Sequence, residues 1–199
     1  LGELAQRELF VSELGSAQQE LLNKLDASRR QAMIDELTRL WNRRGGLELL
    51  DRAMSDAHRG AGLGICLLDI DRFKEINDGY GHATGDTVLR KVAGLLVDCI
   101  RVEDIACRLG GDEFLLVLPD ISPEEFGRLV ERIRTRTEAI AMRTRSGTID
   151  LTLSLGGFAC VNCRGLTSDD ALRRADEALY EAKAQGRNRA VIVGPPRAA

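Results

Sequence analysis

The segment Ile105-Ala106-Cys107-Arg108-Leu109-Gly110-Gly111-Asp112-Glu113-Phe114-Leu115-Leu116-Val117-Leu118 decides the fold. Two short apolar runs flank a polar, glycine-led tetrapeptide, which predicts strands over 105–109 and 114–118 joined as a β-hairpin. The two glycines permit positive φ and let backbone amides approach a phosphate closely. Asp112 and Glu113 are adjacent, so one acid can face a ligand while the other faces away. On this stretch alone, an ordinary hairpin with solvated acids is an equally good reading.

Upstream, Gly64-Ile65-Cys66-Leu67-Leu68 is short, apolar and bounded by turn signals, which predicts a buried strand. It closes in Asp69-Ile70-Asp71, and acids that end an apolar strand belong at a sheet edge, open to a ligand. If Asp69 and Asp112 converge there, they form an oxygen site suited to Mg²⁺ or Mn²⁺. Two such ions about 3.5–4 Å apart would stabilise the attacking and leaving oxygens of a phosphoryl transfer.

The rest of the pattern alternates helices and strands. A polar, turn-prone stretch runs from Asp35 to Gly45-Gly46, followed by a helix over 47–58. Asn77 to His82 reads as turn-rich, with Gly85-Asp86 after it, and Val88, Val92, Leu95, Leu96 and Cys99 mark one face of a helix. Asn77 is expected as a turn former and Asp86 as a helix cap, and His82 as a structural residue of the same turn. Beyond the hairpin come a helix over 123–142, a strand with Ile149, Leu151, Leu153 and Leu155 inward, a helix opened by Ser168-Asp169-Asp170, and a strand over 190–193. The order predicts an α/β sandwich: a mixed central sheet with surrounding helices and a β-hairpin at the active-site turn.

The first thirty-odd residues differ in kind. Leu4, Val11, Gln18, Leu25 and Ala32 occupy one heptad position, and Arg7, Leu14, Leu21 and Ser28 the other. This predicts a long N-terminal helix over 1–34, either a parallel coiled coil or an amphipathic helix packed on its own domain. A globular domain over 35–195 and a tail over 196–199 complete the organisation.

Bulk properties narrow the function. The 199 residues carry 28 basic and 31 acidic side chains, a net charge of −3, which argues against a binder of polymeric nucleic acid. A small anion held by a few placed cations fits better. No apolar run approaches membrane-spanning length and no signal peptide is visible, so a cytoplasmic location is expected. The sequence starts at Leu1 rather than Met, which leaves room for an upstream sensor or membrane segment. The five cysteines, an odd number, are expected as reduced thiols, and Cys160-Val161-Asn162-Cys163 lacks the second pair a metal site would need.

Arg108-Leu109-Gly110-Gly111-Asp112-Glu113-Phe114 resembles the signature of the GGDEF family of diguanylate cyclases. Other family-like segments stand in order: Asp35 to Arg44, Asp69 to Asp78, Gly81 to Asp86, and Ala175 to Lys183 with Gly186-Arg187-Asn188. Arg39 stands where the family often has Gly, away from the expected site. The resemblance implies a nucleotidyl-cyclase, palm-like sheet and the joining of two GTP into cyclic di-GMP across a homodimer. It implies two Mg²⁺ or Mn²⁺ per site, held by Asp69, the carbonyl of Ile70 and Asp112, with Glu113 as a further metal candidate. Asp112 would accept or orient the 3′-hydroxyl proton. Lys74, Lys183 and Arg187 would meet the phosphates, joined by backbone amides near Arg72 and Phe73 and at Gly110 and Gly111. Asn77 and Asp86 would read guanine. Arg101 and Asp104, as R-x-x-D five residues before the signature, resemble a site where cyclic di-GMP binds as an inhibitor.

Overall fold

A computed structural model describes residues 18–19, 32–144 and 147–194. The expected helix over 1–34 falls outside this set apart from 18–19 and 32–34, and the tail over 196–199 lies wholly outside it. The described residues from Asp35 onward belong to one compact unit.

The central sheet has six strands: β1 (Trp41–Asn42), β2 (Leu63–Ile70), β3 (Ile105–Gly110), β4 (Glu113–Pro119), β7 (Leu153–Cys160) and β8 (Ala190–Val193). Their order is β1-β3-β4-β2-β7-β8. β1 is parallel to β3 and β8 to β7, whereas β3, β4, β2 and β7 pair antiparallel. The mixed α/β sandwich expected from the sequence is present. A separate ribbon pairs β5 (Ala141–Thr144) with β6 (Gly147–Asp150).

β2 and β4 are buried on both faces, which is why they read as unbroken apolar runs rather than as alternations. Cys66, Leu68, Ile70, Phe114, Leu116 and Leu118 face α3 (His82–Cys99) and α4 (Pro123–Glu138), where Val88, Val92, Leu96, Phe126 and Val130 complete one core. Leu63, Ile65, Leu67, Leu115 and Val117 face α1 (Arg43–Ala57) and α5 (Ser168–Ala184), packing with Leu50, Met54, Ala175 and Leu179. Capping boxes open the later helices: Ser122 with Glu125 begins α4, and Thr167 with Asp170 begins α5.

Five local expectations are corrected. Gly45 and Gly46 lie inside α1, which begins at Arg43 because Asn42 caps it by accepting from the amide of Gly45. Gly46 is needed for close packing: a Cβ there would collide with the side chain of Cys107 on β3. The stretch read as a turn holds a helix, α2 (Phe73–Tyr80), so Asn77 is helical. Gly81 alone separates α2 from α3, leaving Asp86 inside α3 rather than at its cap. The helix expected to reach Met142 stops at Glu138, and the strand drawn through Ile149 to Leu155 is divided between β6 and β7.

Cys66, Cys99 and Cys107 are free and buried, but Cys160 and Cys163 form a disulfide, which corrects the reading of five reduced thiols. The turn after β7 brings Cys163 back into the core beneath α1 and α5, with the two Cα atoms 5.9 Å apart. Burial pushes the Cys66 and Cys107 thiols up, Cys107 to about 12, as expected of inert core groups.

Candidate active site

Strand register sets Glu113 opposite Asp69 across β2 and β4, so their side chains share a face of the sheet. One residue on, the amide of Ile70 donates to the carbonyl of Asp112 at 3.3 Å, which ties the hairpin turn to the end of β2. Gly110 and Gly111 have φ of 145° and 55°, a conformation that a side chain would strain, and the ladder shifts register between Arg108 and Gly110.

Asp69 is the electrostatic centre. Its side chain is 13% exposed and accepts a 2.6 Å bond from Nζ of Lys183, on the last turn of α5. Burial pushes the Asp69 carboxyl above its ordinary value; Lys183 opposes that, while the charges of Asp112 and Glu113 add to it. The crowding of like charge is what a bound cation would relieve. Among the described residues no cluster of three or more His, Cys, Asp or Glu forms a complete metal cage. A short set of carboxylates is what magnesium uses when phosphate oxygens and water complete its shell.

Past Asp69 the backbone bends sharply. Arg72 has a left-handed φ of 56° and precedes α2, whose first amides have no side-chain cap. Lys74 is exposed on its first turn. On the next turn, Oδ1 of Asn77 lies against the backbone at Gly85, the residue before Asp86, and both Asn77 and Asp86 are half-buried. Arg187 and Asn188, after α5, are left-handed too, with φ of 65° and 46°. Such residues cost about 1–2 kcal/mol each and concentrate where function fixes the chain.

Arg101 and Asp104 lie before β3, at the end of the hairpin remote from Asp112. The amide of Arg101 donates to Oδ2 of Asp104 at 2.7 Å. Burial pushes the Asp104 carboxyl up, partly opposed by the Arg101 amide and charge. Both line a cavity of about 260 Å³ with Glu125, Arg128, Leu129 and Arg132.

The family model for the diguanylate cyclase GGDEF domain matches residues 32–189. The chain belongs to the GGDEF family. Diguanylate cyclase DosC of Escherichia coli is 41% identical over 180 residues, 90% of this chain, and the response regulator PleD of Caulobacter vibrioides is 40% identical over 174 residues, 86% of it. The chain spans 38% of the length of each. The coiled coil and GGDEF domain of DgcB from Caulobacter crescentus, solved in complex with c-di-GMP, superposes with a TM-score of 0.81 at 33% identity, covering 94% of this chain and 98% of that one.

Within this GGDEF domain, three features escaped the sequence reading. Arg128 and Arg132 reach the Arg101 cavity from α4, where lone arginines on a helix carry no signal. Arg108 donates twice to the carbonyl of Gly111, at 3.0 and 2.8 Å, and contacts both carboxyl oxygens of Asp35 at 3.3 Å. Asp35 also accepts from the amide and hydroxyl of Thr38. Burial pushes the Asp35 carboxyl up, but those bonds and the Arg108 charge outweigh it and hold the carboxyl below its ordinary value. The third is the burial of Asp71, expected open to a ligand at the end of the strand but triply hydrogen-bonded within the protein.

Proposed function

We propose that this chain is a diguanylate cyclase that condenses two GTP into cyclic di-GMP with release of two pyrophosphates. The observation that carries the reading is the register that sets Asp69 opposite Glu113, with Asp112 tied to Ile70 and Lys183 held at Asp69. Each domain binds one GTP, and two domains face each other in a homodimer, so that each 3′-hydroxyl reaches the partner's α-phosphate. A P–O bond forms as the bond to pyrophosphate breaks, and the hydroxyl proton passes to Asp112 or to a base that Asp112 orients.

Asp69, the carbonyl of Ile70 and Asp112 would hold two Mg²⁺ or Mn²⁺, with Glu113 as a further ligand. Bound there, the ions would neutralise phosphate charge and make the 3′-hydroxyl more acidic. Lys74, Lys183 and Arg187 meet the triphosphate, Lys183 exchanging its bond to Asp69 for phosphate oxygens. The uncapped amides after Arg72 and Phe73, with those of Gly110 and Gly111, add donors. Asn77 and Asp86 read guanine, whose N1–H and N2–H₂ pair matches a carboxylate.

Product inhibition is assigned to the Arg101 and Asp104 cavity, where Arg128 and Arg132 supply further forks for phosphate or a guanine edge. The heptads over 1–34 would hold two domains at high effective concentration and pass on changes from an upstream sensor. No helix among the described residues is long and apolar enough to cross a membrane. A cytoplasmic location is proposed, as for any enzyme fed by GTP.

Incubation with GTP and Mg²⁺ and chromatography of the products tests the proposal. Cyclic di-GMP is expected; GTP left unchanged would reduce the domain to a nucleotide binder. With ATP present, Asp86→Ser should lower the preference for GTP roughly 10–100-fold.

A further inference from the structure

Two acids close β2, and only the first belongs to the proposed metal site. Asp71 is 7% exposed, and its carboxyl faces inward. Oδ1 accepts from the hydroxyl of Ser154 at 2.6 Å, and Oδ2 from the hydroxyl of Thr152 at 2.7 Å and the backbone amide of Asn188 at 3.0 Å. Its own amide donates to the carbonyl of Thr152 at 3.0 Å. Three of the carboxylate's roughly four acceptor positions are thus taken up within the protein.

The third of those bonds reaches the turn that carries Arg187. Gly186, Arg187 and Asn188 have successive φ of 112°, 65° and 46°, an arrangement that does not persist unless its surroundings impose it. The amide of Arg187 donates to the carbonyl of Ala182, closing α5. The side chain of Asn188 is gripped from α4: Nδ2 donates to Glu138 at 2.8 Å and Oδ1 accepts from Arg134 at 2.9 Å. Arg134 is itself paired with Glu131 and Glu138. The turn is thus pinned beneath by Asp71 and at its side by α4, while Arg187 remains exposed. On the other flank, Asp71 is followed directly by the left-handed Arg72 that leads into α2.

We infer that Asp71 is a positioning residue for phosphate binding: by anchoring the amide of Asn188 it fixes the turn between α5 and β8 and so aims Arg187 at the GTP triphosphate. It touches neither metal nor nucleotide. Its effect passes through Arg187, and losing it is equivalent to losing the aim of that side chain. The inference rests on the phosphate role proposed above for Arg187.

A double-mutant cycle read in the KM for GTP, with Mg²⁺ saturating and at a temperature below every variant's melting transition, tests it. Arg187→Ala and Asp71→Ala should each raise KM about tenfold, and the double variant should also stand near tenfold rather than a hundredfold. Asp71→Asn should remain within about threefold of the parent, because a flipped amide still offers its oxygen to Asn188 and Thr152 while Ser154 accepts from its nitrogen. Should Asp71→Ala fail to fold, Thr152→Val with Ser154→Ala takes its place in the cycle, with an expected rise of about threefold that vanishes when Arg187 is already Ala. Multiplicative effects, or an Asp71→Ala variant with the parental KM, overturn the inference while leaving Arg187 as a phosphate ligand. An Arg187→Ala variant with the parental KM removes both.

Discussion

The hairpin of β3 and β4 has two ends of opposite character. At the turn, Asp112 and Glu113 join Asp69 in a patch where acids crowd one another and Lys183 opposes only part of the charge. At the far end, roughly 20 Å away along a six-residue strand, Arg101, Arg128 and Arg132 outnumber Asp104 and Glu125 around one cavity. On the proposed function, the acidic end would collect cations and, through them, a nucleotide's phosphates, and the basic end would take an anion directly. β4, buried on both faces, runs between them. The contrast teaches that a chain of nearly balanced charge can still carry an acidic and a basic site at separate places by local sorting of charge.

The largest effect expected from breaking this contrast is at the acidic end. Asp112→Ala should lower turnover of GTP by about 10³-fold or more, measured as cyclic di-GMP formed per unit time, because it removes a metal ligand and the proton's destination together. A smaller effect belongs to the basic end. Arg101→Ala should raise the concentration of cyclic di-GMP needed for half-maximal inhibition by about tenfold, and unchanged inhibition would remove that cavity from the account.

The smallest effect sharpens how the turn is held. Asp35 has its carboxyl depressed in the folded state, so it contributes stability above its ordinary pKa of 3.8, and that contribution is lost as pH falls through the lower folded value. Asp35→Asn should cost about 1 kcal/mol at pH 7 in urea denaturation. The difference from the parent should shrink as pH falls below 3.8, since the parent's carboxyl then also becomes neutral. A difference constant with pH would mean that the charge on Asp35 does no stabilising there.

Much of the architecture was legible because it rests on local pattern. The apolar runs of β2 and β4, the glycine pair between β3 and β4 and the polar opening of α5 each announce themselves within a few residues. The errors lie where tertiary packing overrides local preference. Gly45 and Gly46 are poor helix residues, yet Asn42 caps them into α1 and Cys107 admits only glycine at position 46. Asn77, Asp78 and Gly79 favour turns, yet Ile76 and Tyr80 draw α2 onto the core. The acids and basic residues proposed for the site come from motif resemblance. Their supports were not legible: Arg108 meets Asp35 across 73 residues, and Asp71 meets Thr152, Ser154 and Asn188 across 81, 83 and 117. No local pattern encodes partners so distant.

A crystal structure with Mn²⁺ and a non-hydrolysable GTP analogue, read by anomalous scattering, tests the account most directly. Two manganese peaks about 3.5–4 Å apart are expected, touching the side chains of Asp69 and Asp112 and the analogue's phosphates. A nucleotide bound with its phosphates away from that corner, or manganese that ignores both acids, would contradict it.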